Sequence, residues 1–346
     1  MGSQKKTDDV AMAEFPIPDA IRVCQAALEM AGGYSPSDAE IITQHLVDAE
    51  CRGSPMAGLA RALSIIDHLQ ESPDKTKSSK DIEITSEGPS SVRLNGNNVV
   101  GYLVAHRATE LAIEKAKSCG VAIVGANDFW YSGNLAYYAE MATKRDLISV
   151  IVSNCSPLVA PEGAAEARFG TNPMCIGFPT SEKDRPVIWD IGTSNIMHAQ
   201  IMRAQRLGIS LPEGAAYTKE GQPTTDPALA IEGAMTVWGG HKGSGLAVMI
   251  QLLGMAAGSS ARPDGLSGFG YLVMMFDPAI LRPVDEVKKE ADEYAEWLRS
   301  AKPVEGGRPV RMPFDGSYER RKTAVECGTI RIPTILIEQL RKKGAK

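Results

Sequence analysis

The chain has 346 residues, 43% of them hydrophobic, 23% charged and 33 of them glycine, an ordinary globular composition with enough length for about two domains and an ample core. The formal net charge is -5, from 37 basic against 42 acidic residues, and there is no basic block, so nucleic acid and anionic membranes are excluded as partners. The longest apolar run, around Leu246 to Ala257, contains Gln251 and is too short to cross a bilayer. Residues 1–14 are polar, lack the apolar core of a signal peptide and read as a loose tail. The six cysteines are scattered without a CxxC pair, which points to reduced thiols and a cytoplasmic protein. Five histidines without clustered spacing give no dedicated metal site.

Taken in chain order, residues 19–31 and 36–50 read as amphipathic helices, the second capped by Ser37-Asp38 with Ile41, Ile42, Leu46 and Ala49 on one face. A third helix is expected over 58–70, then a polar linker from Glu71 to Lys80. A hairpin is predicted at Asn95-Gly96-Asn97-Asn98, between Ile82–Thr85/Val92–Leu94 and Val99–Val100. Tyr102 to Ser118 has helical spacing and leads through Gly120 into an apolar strand, Val121–Val124. Beyond it the pattern alternates: a helix over 133–144, strands at Leu147–Ser153, Met174–Phe178 and Val187–Trp189, and a helix over 195–207. A helix after His241, a strand at Tyr271–Phe276 and helices over 284–300 and 334–342 complete the reading. The class is α/β or α+β. Residues 121–276 read as one sheet-centred domain, and 15–120 with 277–346 as the other.

The segment Trp238-Gly239-Gly240-His241-Lys242-Gly243-Ser244-Gly245-Leu246 sets four glycines around one His and one Lys, just before an apolar helical run. Glycines free backbone N–H groups for an anion, the helix start adds its positive end, and Lys242 adds a full charge. The order is not that of a Walker A loop, and no GxGxxG follows a strand, so an ordinary Rossmann reading fails. A tight turn into a buried helix is the alternative. Other polar clusters interrupt the apolar pattern. Arg52 and Arg61 flank a turn and could grip a carboxylate, or could be solvated helix ends. Asn127 to Asn134 follows a strand, with aromatics that suit either a ligand or the core. Gly170-Thr171-Asn172-Pro173 and Asp190-Ile191-Gly192-Thr193-Ser194, with His198 a helical turn later, are a turn and a strand end.

In order, these pieces resemble the type-2 malate/L-lactate dehydrogenase family, which includes ureidoglycolate and sulfolactate dehydrogenases and cyclic-ketimine carboxylate reductases. They are Arg52-Gly53 and Gly58 to Arg61; Gly133 to Tyr138; Asn154, Pro157 and Pro161; Gly170 to Pro173; Asp190 to Ser194; Pro212-Glu213-Gly214; Thr224 to Pro227; Gly239 to Leu246; and Arg311-Met312-Pro313 with Gly328 to Leu340. The resemblance covers nearly the whole chain. It implies a non-Rossmann nicotinamide-binding domain over 121–276, a second domain from the N- and C-terminal segments, and a homodimer. It places Gly133, Asn134, Asp190, Thr193, Ser194, His241, Lys242, Gly243 and Arg311 at the cofactor, and Arg61 and Thr171 at a substrate carboxylate. NADPH is the expected cofactor, with NADH possible, and the substrate is a small molecule.

The departures from the family pattern carry the functional expectation. Where the family has Ser-His-Gly, this chain has Met56-Ala57-Gly58; where it has Ser-x-His-x-Gly, this chain has Phe129-Trp130-Tyr131-Ser132-Gly133. A family Tyr is Ile65, the Asp of a relay is Gln200, and Gly-Glu after Arg-x-Pro is Phe314-Asp315. Met and Ala move no proton, and losing a general acid costs about 10²–10⁴ in rate. An iminium already carries the positive charge that hydride neutralises, so it suffers least. The expectation is therefore an NAD(P)H-dependent reductase of an imine or iminium in specialised biosynthesis, with Met56 and Ala57 lining an apolar substrate site. Tyr131 and His198 are the candidate proton donors. The alternatives are a non-redox cyclase or isomerase, or a non-catalytic paralogue.

Overall fold

The computed structural model describes residues 11–71 and 78–345. Strand β1 (Met12–Pro16) leads into helices α1 (Ile17–Met30), α2 (Pro36–Cys51) and α3 (Ala60–Glu71). The cap of α2 is Ser35, whose hydroxyl accepts the Asp38 N–H at 3.2 Å, not the Ser37-Asp38 pair expected. Pro36 occupies the first turn, where a missing N–H costs nothing. Of the polar linker read from Glu71 to Lys80, residues 72–77 lie outside the described residues, and Ser79–Asp81 forms one 3-10 turn.

Strands β2 (Glu83–Glu87) and β3 (Ser91–Val100) pair as a hairpin turning at residues 88–90. The hairpin expected at Asn95 to Asn98 is a correction: β3 runs through it. Asn97 and Asn98 take positive φ (47° and 61°) and bulge the strand, shifting its register against the next strand between Asn95 and Val99. The indole N–H of Trp130 donates to the Asn98 carbonyl at 3.0 Å and holds that bulge. Helix α4 (Gly101–Cys119) stops at left-handed Gly120 and crosses over to β4 (Val121–Trp130), parallel to β3. β4 is longer than expected, because Asn127 to Trp130 belong to the strand.

Helix α5 (Leu135–Thr143) and strands β5 (Ile148–Ser153), β6 (Met174–Phe178) and β7 (Val187–Ile191) follow. A small lobe comes next: α6 (His198–Leu207), β8 (Ala216–Tyr217), β9 (Pro223–Thr224), α7 (Pro227–Glu232) and β10 (Ala234–Met235), around Val159, Phe169, Ile201 and Met235. Helix α8 (His241–Ala256), strand β11 (Gly270–Phe276), helices α9 (Val284–Arg299) and α10 (Asp315–Cys327), strand β12 (Thr329–Pro333) and helix α11 (Thr334–Gly344) complete the chain. The main sheet has the order β2-β3-β4-β11-β5-β6-β7. β11 wedges antiparallel between β4 and β5.

The architecture is mixed α/β, and its sheet draws in β2 and β3, so the boundary read at residue 120 falls inside it. β1 pairs antiparallel with β12, placing Met12 to Glu14, read as tail, in a strand. One face of the sheet carries α4, α5 and the principal core, which continues into α1, α2, α3 and α11. The other face carries α8, seated so closely that a Cβ at Gly125 would lie 3.2 Å from the Ala257 backbone. α8 is not fully buried. Val248, Met249, Leu252 and Met255 keep 38–54% of their surface exposed on its outer side.

Candidate functional site

The end of β4 turns sharply into α5. Tyr131 (φ 51°) and Gly133 (φ 76°) both adopt left-handed backbone. At Gly133 a Cβ would lie 2.5 Å from a Tyr102 ring carbon and 2.6 Å from His45 Nε2, so only glycine passes there. The next amide, Asn134 N–H, donates to His45 Nε2 at 2.9 Å. Two residues on, the Ala136 N–H donates to Asp190 Oδ2 at 2.8 Å, tying the end of β7 to the start of α5. Burial lifts the Asp190 carboxyl to about 6, partly opposed by the backbone N–H groups it accepts.

The turn between α2 and α3 separates its two arginines. Arg52 is 1% exposed. Its Nη2 donates to Glu140 at 2.6 Å, its Nε pairs with Asp48, and its guanidinium lies 4.6 Å from the Phe314 ring centre. Arg321 binds the same Glu140 carboxylate through two bonds of 2.7 and 2.6 Å. Arg52 therefore knits α2, α5 and α10 together and grips no ligand. Arg61, in the first turn of α3, is half-buried: its Nε donates to the Met56 carbonyl at 3.2 Å, and its guanidinium lies 5.1 Å from the Tyr131 ring centre. Burial and the Arg61 charge push His198, the first residue of α6, below its ordinary pKa. The structure thus brings together Arg61, Met56, Ala57, Tyr131 and His198.

Ile65 is fully buried core. Gln200 caps α6, its Oε1 accepting the Met197 N–H at 2.7 Å. Two residues under this site went unread in the sequence. Glu50 accepts the Leu59 N–H at 2.8 Å at the start of α3, and burial raises its carboxyl to about 7. His45 is buried among three tyrosines, and its bond to Asn134 joins residues 89 positions apart, which no local pattern signals.

A second wall forms where β7 meets α8. Thr193 donates to the Thr171 carbonyl through both its N–H (2.8 Å) and its hydroxyl (3.0 Å). Trp238 N–H donates to the Thr193 carbonyl at 3.1 Å, and Ser194 bridges to Val237. Asn172, fully buried, donates to the Ala247 carbonyl and Gln251. Thr171 is thereby fixed against both Thr193 and α8. Gly239 and Gly240 (φ 61° and 58°) let α8 begin at His241 with His241 and Lys242 exposed. A Cβ at Gly243 would lie 2.0 Å from the Trp238 carbonyl. The buried Trp238 Nε1 has no partner among the described residues. Arg311 lies elsewhere, lining a cavity of about 400 Å³ at the start of α10 with Arg185, Asp315, Glu319 and Arg320.

The comparisons with known proteins follow this arrangement. A family model described as malate/L-lactate dehydrogenase matches residues 15–341. L-sulfolactate dehydrogenase of Methanothermobacter thermautotrophicus is 36% identical over 271 residues, covering 76% of this chain and 78% of its own. A Delta(1)-pyrroline-2-carboxylate/Delta(1)-piperideine-2-carboxylate reductase of Pseudomonas putida is 30% identical over 310 residues, 86% of this chain and 87% of its own. The crystal structure of a dehydrogenase from Sinorhizobium meliloti matches with a TM-score of 0.88 at 29% identity, over 97% of this chain and 99% of that one. The chain belongs to the malate/L-lactate dehydrogenase family, as its motifs led one to expect. It is an NAD(P)-dependent oxidoreductase. Among the described residues no helix is long and apolar enough to cross a membrane.

Proposed function

We propose that this enzyme reduces a carbon–nitrogen double bond, an imine or iminium bearing a carboxylate, with a nicotinamide cofactor. The observation that carries this reading is the composition of the site: Met56 and Ala57 stand beside Arg61 and Tyr131, and burial together with the Arg61 charge holds His198 below its ordinary pKa. Met56 and Ala57, standing where the family carries its Ser-His pair, offer no proton. A ketone needs its oxygen protonated as hydride arrives, whereas an iminium takes hydride and becomes a neutral amine with no proton added. The Pseudomonas putida relative, named for two cyclic-imine carboxylates, gives the reading a precedent within the family.

The wall around α8 fits a dinucleotide: Lys242 is exposed at a helix start, Gly245 has nothing within 4 Å of where a side chain would begin, and the Trp238 indole N–H is an unused donor among the described residues. His241, Lys242 and Gly243, with Thr193, Ser194, Asp190, Gly133 and Asn134, would hold it. When bound, the cofactor supplies the hydride. Arg61 and Thr171 hold the substrate carboxylate, while Met56 and Ala57 keep water from the reacting carbon. NADPH is preferred over NADH because reductive biosynthesis usually draws on it; Arg311, in its separate cavity, does not bear on that choice.

A second copy of the chain would cover Val248, Met249, Leu252 and Met255 on α8, large apolar side chains left exposed as are Ile123 and Trp189. The free cysteines suit a reducing cytoplasm and a specialised biosynthetic role there.

The test is anaerobic mixing with NADPH, and separately NADH, across cyclic imines and 2-oxo acids while nicotinamide absorbance and fluorescence are followed. Oxidation only with imines is the expected outcome and names the cofactor. Oxidation by 2-oxo acids would mean that another acid serves the site, and no cofactor binding would end the reductase reading.

A further inference from the structure

The structure assigns His45 as the positioning residue of the cofactor-side loop, acting through the Asn134 amide. This rests on the reading that Gly133 and Asn134 face the dinucleotide. His45 lies on α2, 2% exposed, and reaches past α5 to the loop that ends β4. Its Nε2 accepts the Asn134 N–H at 2.9 Å, so the ring is the neutral tautomer with its proton on Nδ1. Nδ1 is buried and has no hydrogen-bond partner among the described residues. What surrounds it instead is aromatic: Tyr102 edge-on with ring centres 4.8 Å apart, Tyr137 at 4.5 Å and Tyr138 at 5.2 Å. Three rings fix the imidazole plane, and the imidazole in turn fixes the amide.

The same cage sets the loop's height. Gly133 rests on His45 and Tyr102 with no room for a Cβ. Tyr138 donates to the Ser132 carbonyl at 2.7 Å, holding the residue before it. Tyr131, Ser132, Gly133 and Asn134 are thus presented from below by one buried ring and two tyrosines. Because the Asn134 amide is already bound from beneath, a dinucleotide meets the outer side of the turn and a loop in one conformation. A site ordered before binding loses less free energy when its ligand arrives.

The variants His45→Gln and His45→Phe separate positioning from packing. Glutamine offers an oxygen acceptor to the Asn134 N–H, while phenylalanine fills the cage and offers none. Cofactor affinity is read by nicotinamide fluorescence with NADPH and NADH, and folding by circular dichroism and thermal melting. Hydrogen exchange at the Asn134 amide is read alongside. The expected result is a dissociation constant within about twofold of wild type for His45→Gln. His45→Phe, folded, weakens binding about tenfold or more, with Asn134 exchange accelerated only in this variant. A folded His45→Phe protein with faster Asn134 exchange and unchanged affinity overturns the assignment while leaving the cofactor reading intact. So does a His45→Gln protein as weak as His45→Phe. A wild-type protein that binds neither NADPH nor NADH overturns the cofactor reading itself, and the assignment falls with it.

Discussion

Arg52 closes α2 and Arg61 opens α3, and the short turn between them carries Met56 and Ala57. Arg52 is sealed, with Glu140, Asp48 and the Phe314 ring around it and Arg321 completing the cluster. Arg61 spends one N–H on the Met56 carbonyl and lays its face on Tyr131. A buried guanidinium is tolerable only when paired and hydrogen-bonded. Arg52 meets that condition through Nε on Asp48 and Nη2 on Glu140, its Nη1 has no partner among the described residues, and at 1% exposure the group is closed off from a ligand. Arg61 stays half-buried with the rest of its fork uncommitted among the described residues, which is how a carboxylate-binding arginine stands before its ligand arrives. One residue type, in one turn, is turned to structure at one end and to recognition at the other.

The largest expected effect breaks the sealed end. Arg52→Met removes a charge that Glu140 relies on and should cost about 3–5 kcal/mol in urea unfolding. Arg61→Met should cost less than about 1 kcal/mol. Equal losses would mean that both arginines are structural and that the contrast is false.

The two buried carboxylates beside this turn should behave oppositely with pH. Glu140 lies below its ordinary pKa because Arg321 and Arg52 outweigh its burial. Its stabilisation is therefore present above the unfolded-state value and is lost as pH falls through the folded one. Glu50 is raised to about 7 by burial, with no ion pair to a cation among the described residues to offset it. Folding then favours its protonated form, so stability declines as pH rises from the unfolded value near 4.5 through about 7. Glu50→Gln should flatten that decline, which is at most about 3 kcal/mol and smaller where water reaches the carboxyl. Unfolding at pH 5 and pH 8 measures it. A wild-type protein more stable at pH 8, with Glu50→Gln unchanged, would show that Glu50 is not held neutral.

Next in size is Arg61→Ala assayed with a carboxylated cyclic imine. Losing a charge-assisted, forked contact is worth about 1.5–3 kcal/mol. KM should rise roughly 10- to 100-fold with the melting temperature little changed. An unaltered KM would move the carboxylate away from Arg61.

How much of this was legible before the fold follows from distance along the chain. β5, β6 and β11 announce themselves as short apolar runs, and α8 as a long one behind glycines. Arg61, Met56 and Ala57 sit in one turn, so their grouping could be read locally, and Tyr131 and His198 could be added from strand and helix ends. Arg52 could not be told from Arg61, because Glu140 lies 88 positions away and Arg321 reaches it from the far end of the chain. α10 escaped notice because its sequence, DGSYERRKTAVEC, buries little beyond Asp315 and so has no apolar stripe. β1 depends on β12, more than 300 residues later, and nothing local marks a strand held only by its partner. The misplaced hairpin has a sharper cause: Asn-Gly-Asn-Asn suits a turn, and the chain uses the same left-handed tolerance to bulge a strand instead.

The smallest expected effect discriminates most between acid-free and acid-assisted chemistry. Tyr131 contributes its ring to Arg61 in a left-handed backbone that Phe tolerates as poorly as Tyr, so Tyr131→Phe changes the hydroxyl and little else. His198 is held below its ordinary pKa, and His198→Gln removes the imidazole while keeping a polar group. If hydride enters an iminium, neither hydroxyl nor imidazole need give up a proton, and kcat in both variants, and in the double variant, should stay within about threefold of wild type. If either group is the acid, its loss should cost about 10²–10⁴ in kcat. The pH profile adds an independent reading. With an acid-free step, activity falls as pH rises through the pKa of the substrate imine, and the fall moves when the substrate is changed. With an enzyme acid it stays in place across substrates and disappears in the variant that lacks that acid.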